Sequence, residues 1–157
     1  MNSIVYLETT IISLLAGRVP RDLISAAHQQ ETLTWWETQR YQYTLVSSEY
    51  VIEEIERGDP EAAQRRLSLM QNIPLLATND QTAQLAAALI ADNALPQKAM
   101  LDALHVAIAT VNGVDFLLTW NCKHIANAQT RPMIERCCRH YGYEPPINCT
   151  PTELLGD

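Results

Sequence analysis

Short apolar segments alternate with longer segments of helical periodicity along this 157-residue chain. The apolar segments have the length and the β-favouring composition of buried strands. They are residues 4–7, 43–47, 73–77 and 114–120. Such alternation is typical of a parallel sheet that is covered by helices on both faces. The pattern therefore predicts an α/β fold, a three-layer α/β/α sandwich around a central parallel sheet of the Rossmann-like kind.

The segments between these strands carry apolar residues at helical spacing, together with residues that begin and end helices. Ser48 is a predicted N-cap and Gly58 a predicted stop for one helix, and Asn112 followed by Gly113 ends another. The predicted helices cover residues 9–16, 20–39, 49–57, 60–71, 81–92, 96–112 and 132–141. Because the chain has no internal repeat and no linker-like segment, residues 1–157 are expected to form a single domain.

Composition limits how this chain could interact with nucleic acids and membranes. Hydrophobic residues make up 47% and charged residues 18%, which excludes a disordered chain. The net charge of −7 argues against a broad basic surface that grips duplex nucleic acid, but it is compatible with a small acidic active site. No signal peptide and no membrane-spanning segment is apparent, so a cytoplasmic location without a membrane partner is expected. The four cysteines form no C-x-x-C pair and are expected to be reduced thiols.

Two polar residues directly follow predicted strands. Glu8 follows the first strand and Asn121 follows the last. In open parallel sheets, ligands bind in the crevice beyond the carboxyl ends of the strands. Both residues are therefore candidates for a functional site, although a solvated turn or a helix N-cap is the more common role for a carboxylate placed like Glu8.

Asp102 is the only acid in a predicted helix that is apolar nearly all the way round. A helix of this kind is usually buried. A buried carboxylate is costly unless it is paired, hydrogen-bonded or bound to a metal. We therefore expect Asp102 to be a metal ligand or a catalytic acid, the alternative being an interaction with the dipole at the helix N-terminus.

The predicted helix 49–57 carries four glutamates, of which its periodicity leaves two as candidates. Its apolar stripe consists of Val51, Ile52 and Ile55. Glu54 and Glu56 border that stripe on opposite sides, so either could reach a site at the edge of the core. Periodicity does not choose between them.

A set made of Glu8, Glu54 or Glu56, Asp102 and Asn121 would present hard oxygen donors without histidine or cysteine. Such donors suit Mg²⁺ or Mn²⁺. Ions of this kind can activate a water nucleophile and stabilise the leaving oxygen in phosphodiester hydrolysis. The residues therefore favour metal-dependent phosphodiester chemistry.

Four segments that contain these residues occur together in one nuclease family. They are Y-L-E-T-T at 6–10, S-E-Y-V-I-E-E-I-E-R-G at 48–58, D-A-L-H-V-A-I-A at 102–109 and L-L-T-W-N-C-K-H at 117–124. In their order and spacing they resemble the PIN-domain nucleases, and especially the VapC-type toxin ribonucleases of bacterial toxin–antitoxin pairs. The resemblance extends over essentially the whole chain. It implies a PIN-like sheet with helices on both faces and a Mg²⁺ or Mn²⁺ site formed by Glu8, Glu54, Asp102 and Asn121, which favours Glu54 over Glu56.

The resemblance also implies a function and a set of partners. The implied function is that of an endoribonuclease that hydrolyses RNA phosphodiester bonds as the toxin of a toxin–antitoxin pair. The implied partners are an RNA substrate, a small antitoxin protein and a second copy of the chain in a homodimer. The chain departs from the family at Glu8, which replaces the usual Asp, at Leu101, where many members have a further acid, and at Asn121, which replaces an acid. Leu101 and Asn121 favour an alternative hypothesis, a PIN-like module with weakened catalysis that binds RNA or protein.

Several residues near these segments have both an ordinary and a functional interpretation. Thr9 and Thr119 could orient metal ligands through their hydroxyls or serve as cap and strand residues. His105 is more typical of a packed histidine than of a catalytic base. Trp120 could stack on a nucleobase, although packing is the more common role. Basic residues that could contact phosphates, but that are more often solvated, are Lys98, Lys123 and Arg131.

Overall fold

Four parallel strands form the central sheet of the protein. A computed structural model describes residues 1–156. The strands are β1 (Ile4–Leu7), β2 (Thr44–Val46), β3 (Phe116–Leu118) and β4 (Ile147–Cys149). They lie in the order β2-β1-β3-β4, and every neighbouring pair is parallel. The predicted α/β class with a central parallel sheet is therefore confirmed.

Helices surround this sheet in two groups. They are α1 (Thr9–Ala16), α2 (Leu23–Gln39), α3 (Glu49–Ile55), α4 (Pro60–Leu69), α5 (Asp80–Ala91), α6 (Met100–Val111), α7 (Arg131–His140) and α8 (Pro151–Leu155), with a 3₁₀ turn at Arg40–Gln42. Helix α1 packs against α2, α3 and α4, and α2 packs against α8. Helix α5 packs against α6 and α7. The two groups form the outer layers of the predicted α/β/α sandwich.

The two central strands of the sheet, β1 and β3, contribute fully buried side chains to the core. Val5, Tyr6 and Leu7 of β1 are fully buried, as are Leu117 and Leu118 of β3. Each such apolar side chain contributes about 1.5–3 kcal/mol of burial free energy. Because β1 has a neighbour on both edges and helices on both faces, its residues form a continuous apolar segment instead of an alternating one. This burial explains why the first strand can be predicted from the sequence.

The prediction of a strand at residues 73–77 is wrong, because these residues form no strand of the sheet. Only an isolated parallel bridge joins Leu75 to Ser47. The Ser47 amide donates to the Pro74 carbonyl at 3.0 Å, and the Leu76 amide donates to the Ser47 carbonyl at 2.8 Å. Pro74 has no N–H group with which to continue the ladder. Two elements near the C-terminus, β4 and α8, were not predicted, and the predicted domain end at residue 157 lies outside the described residues.

Two expectations from composition can be compared with the described residues. All four cysteines are free, with Cys122 exposed and the other three buried. No helix within residues 1–156 is long and apolar enough to cross a membrane.

The order of the strands creates a crevice between β1 and β3. The chain passes from β1 to β2 on one side and then returns to place β3 on the other side of β1. The residues that follow neighbouring strands therefore diverge at this point, which is where ligands bind in open α/β sheets. The Glu8 amide still donates to the Leu118 carbonyl at 3.1 Å, so Glu8 is held at the floor of the crevice.

Candidate active site

Glu8 is the N-cap of helix α1, and it is almost completely buried. Its side chain is only 4% exposed. Its Oε1 atom accepts hydrogen bonds from the Thr10 amide at 3.1 Å, from the Thr119 hydroxyl at 2.6 Å and from the Thr10 hydroxyl. Glu8 therefore has the common role of an N-cap. It is not a solvated turn residue, because three protein donors take the place of water.

The burial of Glu8 has an electrostatic consequence. Burial raises the pKa of this carboxyl above its usual value, against the opposing effects of His105 and of the hydrogen bonds from Thr10 and Thr119. None of the hydrogen-bond donors to Glu8 is a cation. Within residues 1–156, its Oε2 atom makes no hydrogen bond and is not sealed from solvent. One carboxylate oxygen is therefore left for a ligand.

Glu54 is held by two donors on the same side of the crevice. Its Oε1 atom accepts from the Thr9 hydroxyl at 2.6 Å and lies 2.7 Å from Nε2 of His105. Burial alone would raise the pKa of Glu54, whose side chain is 23% exposed, but hydrogen bonds from His105 and Thr9 and the nearby charge of Arg57 outweigh it and lower the pKa. Glu54 is therefore ionised at neutral pH. Glu56, the other candidate on this helix, is exposed.

A buried chain of hydrogen bonds supports Glu54 from behind. His105 is 1% exposed, and its Nδ1 atom lies 2.7 Å from the Tyr6 hydroxyl, which lies 2.7 Å from the Ser48 hydroxyl. One arrangement of protons satisfies every group: Ser48 donates to Tyr6, Tyr6 donates to Nδ1, and Nε2–H donates to Glu54. Burial raises the pKa of Tyr6, so its hydroxyl keeps the proton that this arrangement needs. Ser48 occupies the predicted N-cap position, but its hydroxyl makes no cap bond, because it is bonded to Tyr6.

Asp102 and Asn121 both contact His124, Asp102 at its imidazole and Asn121 at its backbone amide. Oδ2 of Asp102 lies 2.8 Å from Nδ1 of His124, and Oδ1 of Asn121 accepts from the His124 amide at 3.0 Å. Asp102 is 22% exposed, so the expectation that it is buried is wrong. The first turn of α6 is open to solvent, as the exposure of Met100 shows, and the buried part of the helix begins at Ala103. The alternative role near the helix N-terminus agrees with this position, since Asp102 lies in the first turn.

The structure brings two of the four predicted site residues to one cavity. The cavity has a volume of about 340 Å³. Its walls are formed by Glu8, Thr9, Thr10, Ser13, Leu14, Ser25, His28, Glu54 and Trp120. Asp102 and Asn121 are not part of its lining. Within residues 1–156, no group of three or more His, Cys, Asp or Glu side chains is arranged to hold a metal ion.

The two carboxylates on the cavity nevertheless fit the chemistry of a hydrated divalent ion. Mg²⁺ usually keeps several waters and binds through one or two carboxylates together with substrate phosphates. Glu8 and Glu54 each have one oxygen engaged by protein donors, which fixes the carboxylate, and one oxygen without a protein partner within residues 1–156. A nearly buried carboxylate without a cationic partner, such as Glu8, is also the kind of group that a bound cation stabilises.

Some of the residues around the cavity were not predicted. The Thr10 hydroxyl donates to Glu8 and accepts from the Trp120 amide at 2.8 Å, so it connects the two sides of the crevice. His28 and Thr32, from the middle of α2, reach the same region although no motif contains them. Lys98 and Lys123 are exposed, as the ordinary interpretation expects, whereas Arg131 is only partly exposed and pairs with Glu153 at 3.0 Å.

Comparison with known proteins bears on the fold. No protein-family model matches this chain, and no curated protein matches it at a significant level. Among solved structures, it resembles VapBC2 from Rickettsia felis, with a TM-score of 0.58. That complex is bound to a DNA fragment from its own promoter. The chain has a PIN-like fold. The sequence identity is 15%, and the alignment covers 94% of this chain and 98% of the other, so the similarity concerns the whole fold and assigns no residue roles.

Replacing Glu8 by Gln is expected to raise the melting temperature at pH 8 in EDTA. Because burial raises the pKa of Glu8, the folded protein holds this proton more tightly than the unfolded chain does. The stabilisation from this group is complete below the unfolded value of about 4.5 and is lost as the pH rises through the folded pKa. Gln cannot ionise and so avoids that loss. The melting temperature of the variant should therefore be higher than that of the parent at pH 8 and equal to it near pH 4. Thermal unfolding followed by circular dichroism measures both.

The matched control is Glu144→Gln. The hydrogen bond from Arg139 lowers the pKa of this exposed carboxyl, so its small stabilisation is present above the unfolded pKa and is lost as the pH falls. The control should therefore show no gain at pH 8. An E8Q variant that is less stable than the parent at pH 8 in EDTA would show that the protein tolerates a charged Glu8 without a cation.

Proposed function

We propose that this protein is a divalent-metal-dependent endoribonuclease and the toxin of a toxin–antitoxin pair. The observation that carries the proposal is the pair of carboxylates, Glu8 and Glu54, held by protein donors on one cavity at the crevice of a PIN-like sheet. The similar solved structure is a VapBC complex, which supports both the nuclease class and an antitoxin partner.

Glu8 and Glu54 would hold Mg²⁺ or Mn²⁺ through the oxygens that their protein donors leave free. Asp102 and Asn121 are proposed to complete the site through water, since neither lines the cavity. The chemistry that such an ion supplies is polarisation of the phosphodiester and activation of a water nucleophile.

The chain's own contribution is to fix both carboxylates before the substrate arrives. Thr10 and Thr119 orient Glu8, and Thr9 and His105 orient Glu54. Groups that are positioned in advance need no reorganisation in the transition state, and the partners behind metal ligands typically contribute about 10–100-fold to affinity or activity. The supporting hydroxyls and His105 are therefore part of the proposed active site.

The charge of the protein restricts the way in which RNA could be held. A net charge of −7 offers no broad attraction for phosphates, so we propose local recognition at the cavity, with the exposed Lys98 and Lys123 nearby in sequence. A cytoplasmic location, a small antitoxin and a homodimer complete the proposal by resemblance to VapC-type toxins.

A second candidate function is a PIN-like binding module with weakened catalysis. Two observations favour it. The side-chain oxygen of Asn121 is already bonded to the His124 amide, and no set of three acidic or metal-ligating side chains converges within residues 1–156. In this case the protein would bind RNA or protein without cutting RNA.

The test is cleavage of labelled single-stranded RNA in Mn²⁺, in Mg²⁺ and in EDTA. We expect cleavage with either ion, none in EDTA, and a loss of at least about 10-fold for Asp102→Ala, the effect of losing a group that supports a metal site. The same ions should raise the melting temperature of the parent, because a ligand that binds only the folded state stabilises it. An absence of cleavage, together with Asp102→Ala identical to the parent, would exclude the nuclease; a melting temperature insensitive to both ions would favour the binding module.

A further inference from the structure

The cavity has an aromatic wall that metal binding does not use. His28 of α2 and Trp120, in the loop after β3, stack with ring centroids 3.8 Å apart and an angle of 10° between the rings. Both side chains line the cavity that contains Glu8 and Glu54. An aromatic surface and two carboxylates therefore face the same space.

Trp120 is fixed in this wall by hydrogen bonds at both its side chain and its backbone. Its indole N–H donates to the Thr32 hydroxyl at 2.7 Å, and its amide donates to the Thr10 hydroxyl at 2.8 Å. The same Thr10 hydroxyl donates to Glu8. One side chain thus sets the position of the aromatic wall relative to the carboxylate.

His28 presents unused polar groups on this wall. Its ring is partly exposed, and its hydrogen bond outside the helix ladder is made by its carbonyl, which accepts from the Thr32 hydroxyl at 2.6 Å. Both ring nitrogens are therefore without a partner within residues 1–156. The hydroxyls of Ser13 and Ser25 line the same cavity and add donors and acceptors beside the ring.

The size and charge of the cavity indicate what would occupy it. A volume of about 340 Å³ lies at the lower end of the roughly 300–1,000 Å³ that small-ligand sites span. A stacked duplex does not offer the face of a base to such a cavity, whereas an unpaired nucleotide does. Because the protein carries a net charge of −7, stacking has to provide binding energy that a basic surface would otherwise supply.

We propose that the His28–Trp120 stack is a platform for an unpaired nucleobase next to the scissile phosphodiester. The inference rests on the proposed function, since it places the phosphodiester at Glu8 and Glu54. Stacking of a base on an aromatic side chain is worth about 1–3 kcal/mol. The ring nitrogens of His28 point outward in the plane of the ring and hydrogen-bond the ribose beside the stacked base, and the hydroxyls of Ser13 and Ser25 hydrogen-bond the edge of the base.

The test combines substitutions of His28 with an abasic scan of the RNA. A single-stranded oligoribonucleotide is prepared in versions that each lack one base, and cleavage in Mn²⁺ gives KM and kcat. His28→Ala is expected to raise KM by about 5- to 150-fold with little change in kcat, the effect of losing about 1–3 kcal/mol of stacking. His28→Phe, which keeps an aromatic ring, should stay within a few-fold of the parent. Removal of one particular base should raise KM for the parent but not for His28→Ala.

The control is His140→Ala, which removes an exposed histidine from α7. Binding of the same oligomers in EDTA, followed by fluorescence anisotropy, separates this inference from the proposed function. Base-dependent binding that His28→Ala abolishes would support the platform even if no RNA were cleaved. Cleavage with KM insensitive to His28→Ala and to every abasic position would overturn the platform and leave the nuclease intact. If His28→Ala has a melting temperature far below that of the parent, the abasic scan is run on the parent and on His28→Phe instead. A scan in which no abasic position raises KM for either protein overturns the proposal.

Discussion

Replacing Glu54 by Gln is expected to lower kcat/KM for metal-dependent RNA cleavage by about 100-fold or more while leaving the protein folded. A metal ion contributes several kcal/mol to the stabilisation of transition-state charge, and each 1.4 kcal/mol is about tenfold in rate. The amide oxygen of Gln can still accept from Thr9 and His105, so the local hydrogen bonds survive and only the negative charge is lost. The Mn²⁺ concentration that gives half-maximal activity should rise as well.

The control for this change is Glu56→Gln, on the same helix and with the same loss of charge. Glu56 is exposed and does not line the cavity, so its substitution should leave kcat/KM within about twofold. Equal effects of the two substitutions would mean that Glu54 acts only through the overall charge of the protein. A large loss of kcat/KM for Glu56→Gln alone would indicate that the metal site lies on the other side of the helix.

Replacing His105 by Leu is expected to lower the free energy of unfolding by about 3 kcal/mol. The buried imidazole makes two hydrogen bonds, a partly buried one to the ionised Glu54 and a fully buried one to Tyr6. A bond to a charged group contributes about 1.5–3 kcal/mol and a neutral one about 0.5–1.5 kcal/mol. Leu fills a similar volume but offers neither bond, so urea denaturation should show the loss as a lower midpoint at an unchanged slope.

A double-mutant cycle with Tyr6→Phe tests whether the buried chain acts as a unit. Tyr6→Phe removes the hydroxyl that joins His105 to Ser48. Because neighbours in one network are not additive, the double variant should lose about 1 kcal/mol less than the sum of the single losses. His124→Leu serves as a control, since the pair of His124 with Asp102 is more exposed and such pairs contribute about 0–1 kcal/mol. Strictly additive losses would indicate independent packing of the two rings.

The sequence predicts those strands whose identity depends on their own residues. β1 and β3 are buried on both faces, and their apolar composition reflects that environment. β4 contains only Ile147, Asn148 and Cys149, and it forms because β3 offers it an open edge. Residues 73–77 have the composition of a strand, but Pro74 restricts their pairing to one bridge. Pairing that depends on a distant partner leaves little trace in the local sequence.

The candidate site is predictable to a similar extent. Glu8 is placed by its position after β1, since the carboxyl ends of parallel strands line the crevice. The choice of Glu54 over Glu56 depends on the resemblance, because helical periodicity locates the core but not the side of the helix that faces the crevice. The contacts of His28 and Thr32 with Trp120 are not predictable from periodicity, because the Thr32–Trp120 bond joins residues 88 apart in the chain. The expected burial of Asp102 fails because the first turn of α6 lies open.

The hydrogen bond between Glu8 and Thr119 also has a consequence for when the site exists during synthesis and folding. It joins residues that are 111 positions apart, and β1 itself pairs with a strand that begins only at Phe116. Contacts of such long range form late, because the loop that they close is entropically costly. A chain that is still emerging from the ribosome and has not yet reached β3 therefore has Glu8 without the Thr119 hydroxyl and without Trp120 of the aromatic wall. The cavity comes into being only when the second half of the chain has folded onto the first.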